Sequence, residues 1–346
     1  MSSPMIVLLG PTATGKTRIA ALLAHAIGGE IISADSRQVY KGMDIGTGKD
    51  LDEYFVDDVQ IRTHLIDIVE AGEKYSLFNY KTDFDSAVED ISSRGKITVV
   101  CGGSGMYIES ALGLYDLKEV SENESLREYL SSKSNEELIL LLQSLSKVHN
   151  TTDLIDRDRL ERAVEIALVN AGVKDAGPDV LDSMFSTILD YNSMGQPADP
   201  IVEDDSDNVI VPKAAYDNSP RTSLIYGLQV PREIVRSRIT ERLRKRLKEG
   251  LIEEVEKLHK SGVSFETLVY YGLEYKFIAL YLEGKLTYEE MVSQLNTAIH
   301  QFAKRQMTWF RRMERRGVAI KWLPPDPVEV IATVKNDLET AGIISL

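Results

Sequence analysis

Gly10-Pro11-Thr12-Ala13-Thr14-Gly15-Lys16-Thr17 carries the G-x-x-x-x-G-K-T spacing of a phosphate-binding loop. Its glycines let the backbone bend tightly. N–H groups from Gly10 through Thr12, Ala13, Thr14 and Gly15 can then curl around phosphate oxygens. Lys16 can reach a terminal phosphate, and the Thr17 hydroxyl can hold Mg²⁺. Asp35, followed by Ser36, Arg37 and Gln38, is the nearest acid available to such a loop. Gly102-Gly103-Ser104 supplies a further hydroxyl after a later apolar run. Near the C-terminus, Lys304, Arg305, Gln306, Trp309, Phe310 and Arg311 interleave cations with aromatic rings. That pattern offers phosphate contacts and a stacking face for an unpaired base. It also suits a cation-rich helix end with Trp309 packed inward.

These groups need elements to position them. The apolar run Met5–Leu9 before the loop reads as a strand, and Arg18–Ile27 after it as an amphipathic helix. A second strand over Glu30–Ser33 delivers Asp35 to the same edge, because ligands of open α/β sheets bind beyond the carboxyl ends of strands. Further strands are predicted at His64–Ile68, Ile97–Cys101, Thr222–Gln229 and Ala319–Leu323. Helices are predicted at Ser76–Ser92, from Gly102-Gly103-Ser104 through Leu112, and at Leu126–Leu145, Asp153–Asn170, Pro231–His259, Glu289–Trp309 and from Pro327. Repeated β-turn-α units imply an α/β fold: a P-loop NTPase-like, doubly wound parallel sheet with an inserted helical domain.

The expected layout is a core over 1–117, a helical insertion over 118–172, an acidic segment over 173–220 and the rest of the core over 221–346. Gly172–Pro220, with Glu203-Asp204-Asp205-Ser206-Asp207 at its centre, reads as a long loop or partly disordered segment. The helix opening at Asp156 presents Arg159, Leu160, Glu161, Arg162 and Ala163; taken alone, such a face reads as solvated surface.

The net charge of −14 argues against nucleic acid until its distribution is considered. Lys174–Pro220 holds ten acidic residues against two basic, whereas Arg221–Pro325 holds twenty basic against twelve acidic. A basic C-terminal region beside an acidic stretch keeps an RNA partner open. Cys101 is the only cysteine, so no internal disulfide forms and a reducing compartment fits. No basic and apolar leader precedes Met5 and no apolar run reaches 18 residues, so a cytoplasmic protein away from membranes is expected. The five histidines lack metal-ligand spacing. One absence bears on the chemistry. Val99-Val100-Cys101-Gly102-Gly103 ends without the acid that helps hold Mg²⁺ in NTP-hydrolysing proteins. That weakens an ATPase reading and suits an enzyme that moves the rest of the molecule, not the phosphoryl group.

The pieces together resemble the tRNA dimethylallyltransferase (tRNA isopentenyltransferase) family. The resemblance rests on Gly10–Thr17, on Glu30 through Thr47, on His64–Ile68, and on Gly102-Gly103-Ser104 with Tyr107. It extends to Asp156–Glu165, to Arg238-Ile239 with Arg242, and to Lys304–Arg311. Gly-Gly-Ser stands where the family usually has Gly-Gly-Thr, and Gly272-Leu273-Glu274 alters its usual Gly-Tyr-Lys-Glu order. The acidic segment replaces a usually short connection.

The resemblance implies transfer of a dimethylallyl group from dimethylallyl diphosphate to N6 of adenosine 37, beside the anticodon, with diphosphate leaving. It implies that the loop and Arg238 hold the diphosphate, with Mg²⁺ on Thr17. It makes Asp35 the group that takes the N6 proton, with Mg²⁺ holding as its alternative role, and Ser104 a support for Asp35 or the diphosphate. Asp35–Gln38, Arg159–Ala163 and Lys304, Arg305, Gln306, Trp309 and Arg311 would meet the anticodon stem-loop. The acidic segment would point away from the RNA, and a monomer is expected. Three rivals stay open: an adenylate isopentenyltransferase acting on AMP, ADP or ATP, a P-loop small-molecule kinase, and a nucleotide-gated RNA-binding module.

Overall fold

The computed structural model describes residues 4–115, 120, 123–145, 154, 157–173, 177–193 and 223–343. The chain divides into two compact units, Met1–Asp116 with Asn208–Leu346, and Leu117–Asp207.

The first unit is built on a six-stranded sheet, ordered β5-β2-β6-β1-β7-β8. The strands are β1 (Met5–Leu9), β2 (Glu30–Ala34), β5 (Thr63–His64), β6 (Thr98–Gly102), β7 (Ser223–Leu228) and β8 (Lys321–Leu323). Every pairing is parallel. A short antiparallel pair, β3 (Phe55–Val56) and β4 (Val59–Gln60), stands apart from the sheet.

Both faces of the sheet are covered, which is why its central strands read as continuous apolar runs. Met5, Val7 and Leu9 of β1 face α2 (Leu77–Ser93), α3 (Gly105–Ala111) and the C-terminal half of α12 (Tyr288–Arg315). Ile6 and Leu8 face α1 (Lys16–Ile27) and α13 (Pro327–Thr340). The same unit carries α8 (Arg232–Lys248), α9 (Leu251–Lys260), α10 (Phe265–Tyr271) and α11 (Leu273–Leu282). These helices pack with the N-terminal half of α12 around Val39, Tyr40 and Met43 of the segment after β2.

Several expected elements are shorter than periodicity suggested. The long helix over Pro231–His259 is two helices, α8 and α9, because Gly250 takes φ 104° and turns the chain between them. The strand expected over His64–Ile68 pairs only at Thr63–His64, since Leu65 and Asp67 adopt φ 61° and 57°. That turn hands the Asp67 carboxylate to Lys49. The buried Lys49 ammonium also bonds the Asp44 carboxylate at 2.7 Å and the Tyr40 carbonyl at 2.7 Å. A fully buried lysine needs such partners, and here it ties the Tyr40–Asp67 loops into one body.

The second unit is helical: α4 (Glu124–Ser131), α5 (Asn135–Leu145), α6 (Arg157–Asn170) and α7 (Pro178–Ser193). The predicted Leu126–Leu145 helix therefore breaks at Ser132-Lys133-Ser134, where the Ser132 hydroxyl donates to the Tyr129 carbonyl and the Ser134 hydroxyl accepts the Glu137 N–H. The acidic segment needs a larger correction, because it opens as α7 and not as a loop. Leu181 and Phe185 of α7 are buried among Leu130, Leu141, Leu142 and Leu168. Residues 194–222, with the Glu203–Asp207 cluster, lie outside the described residues, as does Asp156. Among the described residues no helix is long and apolar enough to cross a membrane.

Candidate active site

The phosphate loop lies between β1 and α1, as its sequence requires. Ala13 and Gly15 take left-handed φ values of 64° and 82°, and Gly15 caps α1. Thr14 folds inward, its hydroxyl donating to the Pro11 carbonyl at 2.9 Å. Lys16 lies over the loop, 3.5 Å from the same carbonyl. Burial pushes the Lys16 ammonium below its ordinary value, against the opposing pull of Asp35 and other groups. A desolvated cation with a carbonyl for company recovers its lost hydration when an anion arrives.

Two side chains from distant helices hold the loop. Gln306 of α12 accepts the Thr12 N–H at 2.9 Å and donates to the Gly103 carbonyl at 2.9 Å. One buried amide thus couples the phosphate loop to the turn after β6. Arg242 of α8 donates to the Thr12 hydroxyl. Burial lowers the Arg242 pKa to about 10, with the neighbouring Arg246 charge adding to the fall. It stays cationic near neutral pH while poorly solvated, a state suited to binding phosphate oxygens.

Asp35 follows β2, where Arg37 N–H donates to its Oδ1 at 2.9 Å. The other carboxylate oxygen has no hydrogen-bond partner among the described residues. Ser104 Oγ accepts the Ser36 N–H at 3.3 Å, and Ser104 N–H donates to the Ala34 carbonyl at 3.3 Å. Ser104 therefore pins the Asp35-Ser36 turn. Gln38 is buried, bonded to the Ser33 hydroxyl at 2.8 Å and the Gly48 carbonyl at 3.2 Å. Downstream, Glu254 accepts N–H bonds from Asp44, Ile45 and Gly46.

Not every predicted residue falls where expected. Arg238 is exposed on α8, one helical turn before Arg242, and Arg242 is the arginine on the phosphate loop. Gln306 is buried against the loops and is a positioning residue, not a surface contact. Lys304, Arg305 and Arg311 are exposed on α12. Trp309 is half-buried, with the Arg312 guanidinium 3.8 Å over its ring.

In the helical unit, Leu160 is fully buried and offers no side chain to a partner. Glu161 is paired with Arg157 at 2.6 Å, and Arg162 with Glu165 at 2.5 Å. Arg159 is exposed and Ala163 half-buried. The buried Glu165 also accepts the Asn123 N–H at 2.6 Å and contacts Arg127 at 3.1 Å. Much of the charge over Arg157–Arg162 is thus spent holding α6 in its unit.

Gln306 and Arg242 are the loop contacts that motif reading missed. Each had a signal. The buried stripe of α12 runs Leu295, Ile299, Ala303, Gln306, Phe310, Met313, and a lone amide in an apolar stripe marks a specific partner. Arg246 breaks the stripe Val235, Ile239, Leu243 of α8 in the same way, one turn beyond Arg242. Gln306→Leu leaves the Thr12 N–H and the Gly103 carbonyl without their bonds. It is expected to destabilise the protein by about 1–3 kcal/mol in urea titration, since unsatisfied buried groups carry such costs.

Thr17 fits a Mg²⁺ role. Its hydroxyl is half-buried in the first turn of α1 and bonds no other described residue. Mg²⁺ is commonly bound through few protein donors together with substrate phosphates and water.

Fold and site define an α/β protein that can grip a phosphorylated substrate beside a held carboxylate. The family model described as IPP transferase matches residues 38–313, and one described as isopentenyl transferase matches residues 4–70. The chain is 48% identical over 322 residues to tRNA dimethylallyltransferase 1 of Parabacteroides distasonis, covering 93% of this chain and 92% of that one. It is 45% identical over 327 residues to tRNA dimethylallyltransferase 1 of Geotalea uraniireducens, covering 94% of each. The full-length tRNA isopentenylpyrophosphate transferase of Bacillus halodurans superposes with a TM-score of 0.63 at 25% identity, over 99% of this chain and 97% of that one. This chain belongs to the tRNA dimethylallyltransferase family.

Proposed function

We propose that this chain is a prenyltransferase that moves a dimethylallyl group from dimethylallyl diphosphate to N6 of the adenosine 3′ of the tRNA anticodon, releasing diphosphate. The observation that carries the chemistry is the juxtaposition of two loops. The phosphate loop and the Asp35-Ser36 turn are tied to the same Gly103-Ser104 turn, one through Gln306 and the other through Ser104.

In this arrangement the loop N–H groups, Lys16 and Arg242 receive the charge that builds on the diphosphate as its bond to carbon breaks. The Thr17 hydroxyl would help hold Mg²⁺, which when bound would supply further charge stabilisation. Asp35 keeps one oxygen on Arg37 N–H and uses the other to orient N6 and take its proton. Transfer then breaks the C1–O bond, forms C1–N6 and places the N6 proton on Asp35. The acceptor base leaves its stack to reach this carboxylate, at a cost of a few kcal/mol. Exposed Lys304, Arg305 and Arg311 meet RNA phosphates. The proposed acting form is a monomer in the cytoplasm.

The test offers dimethylallyl diphosphate and Mg²⁺ with unmodified tRNA, AMP or ATP in separate reactions. Prenyl transfer to tRNA alone is expected. Transfer to AMP, or ATP turnover without prenyl transfer, contradicts the reading.

A further inference from the structure

One exposed ring has no role in the chemistry above. Tyr270, in the last turn of α10, is 55% exposed, the largest exposure of any tyrosine among the described residues' exposed apolar side chains. The ring of its neighbour Tyr271 lies 6.2 Å away between centroids. Tyr271 is buried, packs on Tyr40 at 4.7 Å between ring centroids, and accepts the Gly72 N–H at 2.6 Å. Gly272, at φ 82°, then ends the helix. The position of Tyr270 is therefore fixed by the anchored residue beside it.

Arg37 supplies the second half of the arrangement. Its guanidinium donates to the Tyr270 carbonyl at 3.2 Å and sits 5.5 Å from the Tyr270 ring centroid and 5.8 Å from that of Tyr271. At its other end, Arg37 N–H is bonded to Asp35 Oδ1. One arginine thus spans from the proton-accepting carboxylate to the exposed ring. Burial holds the Tyr107 hydroxyl above the ordinary tyrosine value, with the Arg37 charge opposing.

We infer that Tyr270, held by Arg37, is a stacking platform for the nucleobase next to the acceptor adenosine. The inference rests on the proposed RNA acceptor. An acceptor base drawn into the pocket leaves its neighbour unstacked, with one π-face seeking a new partner. A cation can cover one face of the Tyr270 ring while the remaining exposed ring surface receives that base. Arg37 sets the distance between platform and carboxylate, so stacking of the neighbour would place N6 at Asp35. Stacking of this kind tolerates any base, which makes it a device for positioning and not for sequence choice.

The test compares Tyr270→Ala, Tyr270→Leu and Tyr270→Phe with wild type in steady-state prenyl transfer to an anticodon stem-loop. Loss of one base stack on an aromatic ring corresponds to about 5- to 100-fold in acceptor affinity. Acceptor KM is expected to rise by that factor in the Ala and Leu variants, with the KM for dimethylallyl diphosphate unchanged. Tyr270→Phe, which keeps the ring, should match wild type. A stem-loop carrying 2-aminopurine on one or other side of the acceptor adenosine gives a direct signal. One of the two probes should be quenched on binding wild type and Tyr270→Phe, and not on binding Tyr270→Leu. Wild-type kinetics in Tyr270→Leu, or neither probe responding to the variants, overturns the platform while leaving the function intact. A wild-type protein that prenylates no RNA overturns the functional reading itself.

Discussion

Asp35→Asn is expected to lower kcat by about 100- to 10,000-fold, the range a positioned general base contributes, while binding of dimethylallyl diphosphate stays nearly intact. Asparagine keeps an oxygen for the Arg37 N–H, so the turn that Ser104 pins should persist. What the substitution removes is the charge proposed to accept the N6 proton. The kcat loss should therefore come without a matching rise in donor KM. The alternative role, holding Mg²⁺ through water, predicts a different pattern. Donor binding would then collapse and be restored by added Mg²⁺. Single-turnover rates and donor titrations at two Mg²⁺ concentrations distinguish the two.

Arg242→Ala is expected to reduce kcat/KM for the donor by about 100- to 1,000-fold, the cost typical of removing one preorganised group facing developing charge. Arg238→Ala should have little effect on the donor. Arg242 reaches the phosphate loop through the Thr12 hydroxyl, and burial leaves its cation poorly solvated until an anion binds. Arg238 is exposed one turn away, free to exchange its solvent shell at small cost. Parallel donor kinetics on both variants check the assignment, and equal losses would contradict it. Substitution of Arg242 by Lys should recover part of the rate, because a point charge reaches the phosphates without the planar fork.

The placement of the candidate site's loops was legible because its geometry is local. Two glycines, a lysine and a threonine at fixed spacing dictate the loop, and a strand ending in Asp35 brings the acid to the same sheet edge. Ser104 was legible for the same reason, sitting just past β6. What joins these pieces was not. Gln306 lies 294 residues from Thr12, its contact across the fold, and Arg242 lies 230 residues away. Such contacts depend on tertiary packing, which periodicity reports only as an apolar stripe with a polar member. Arg238 and Arg242 share one helix face, and sequence alone could not say which turn abuts the loop. Helix ends failed where one to three residues decide. Gly250 separates α8 from α9, and the polar Ser132-Lys133-Ser134 separates α4 from α5. The opening of the acidic segment was misread because its charge outweighed Leu181 and Phe185, two apolar residues at helical spacing that reach a core. A deletion meant to test that segment should therefore begin after Ser193. Removing all of Lys174–Pro220 would strip Leu181 and Phe185 from the helical unit.

The central claim is that the departing group is diphosphate and the group that moves is carbon, delivered to one nitrogen of one tRNA base. The most direct measurement is nucleoside mass spectrometry of tRNA after incubation with the protein, Mg²⁺ and dimethylallyl diphosphate. The expected product carries one dimethylallyl group in place of one hydrogen on N6 of the adenosine 3′ of the anticodon, with one diphosphate released for each transfer. Unchanged tRNA, a prenyl group on another nucleoside, or phosphate released in place of diphosphate would contradict the account.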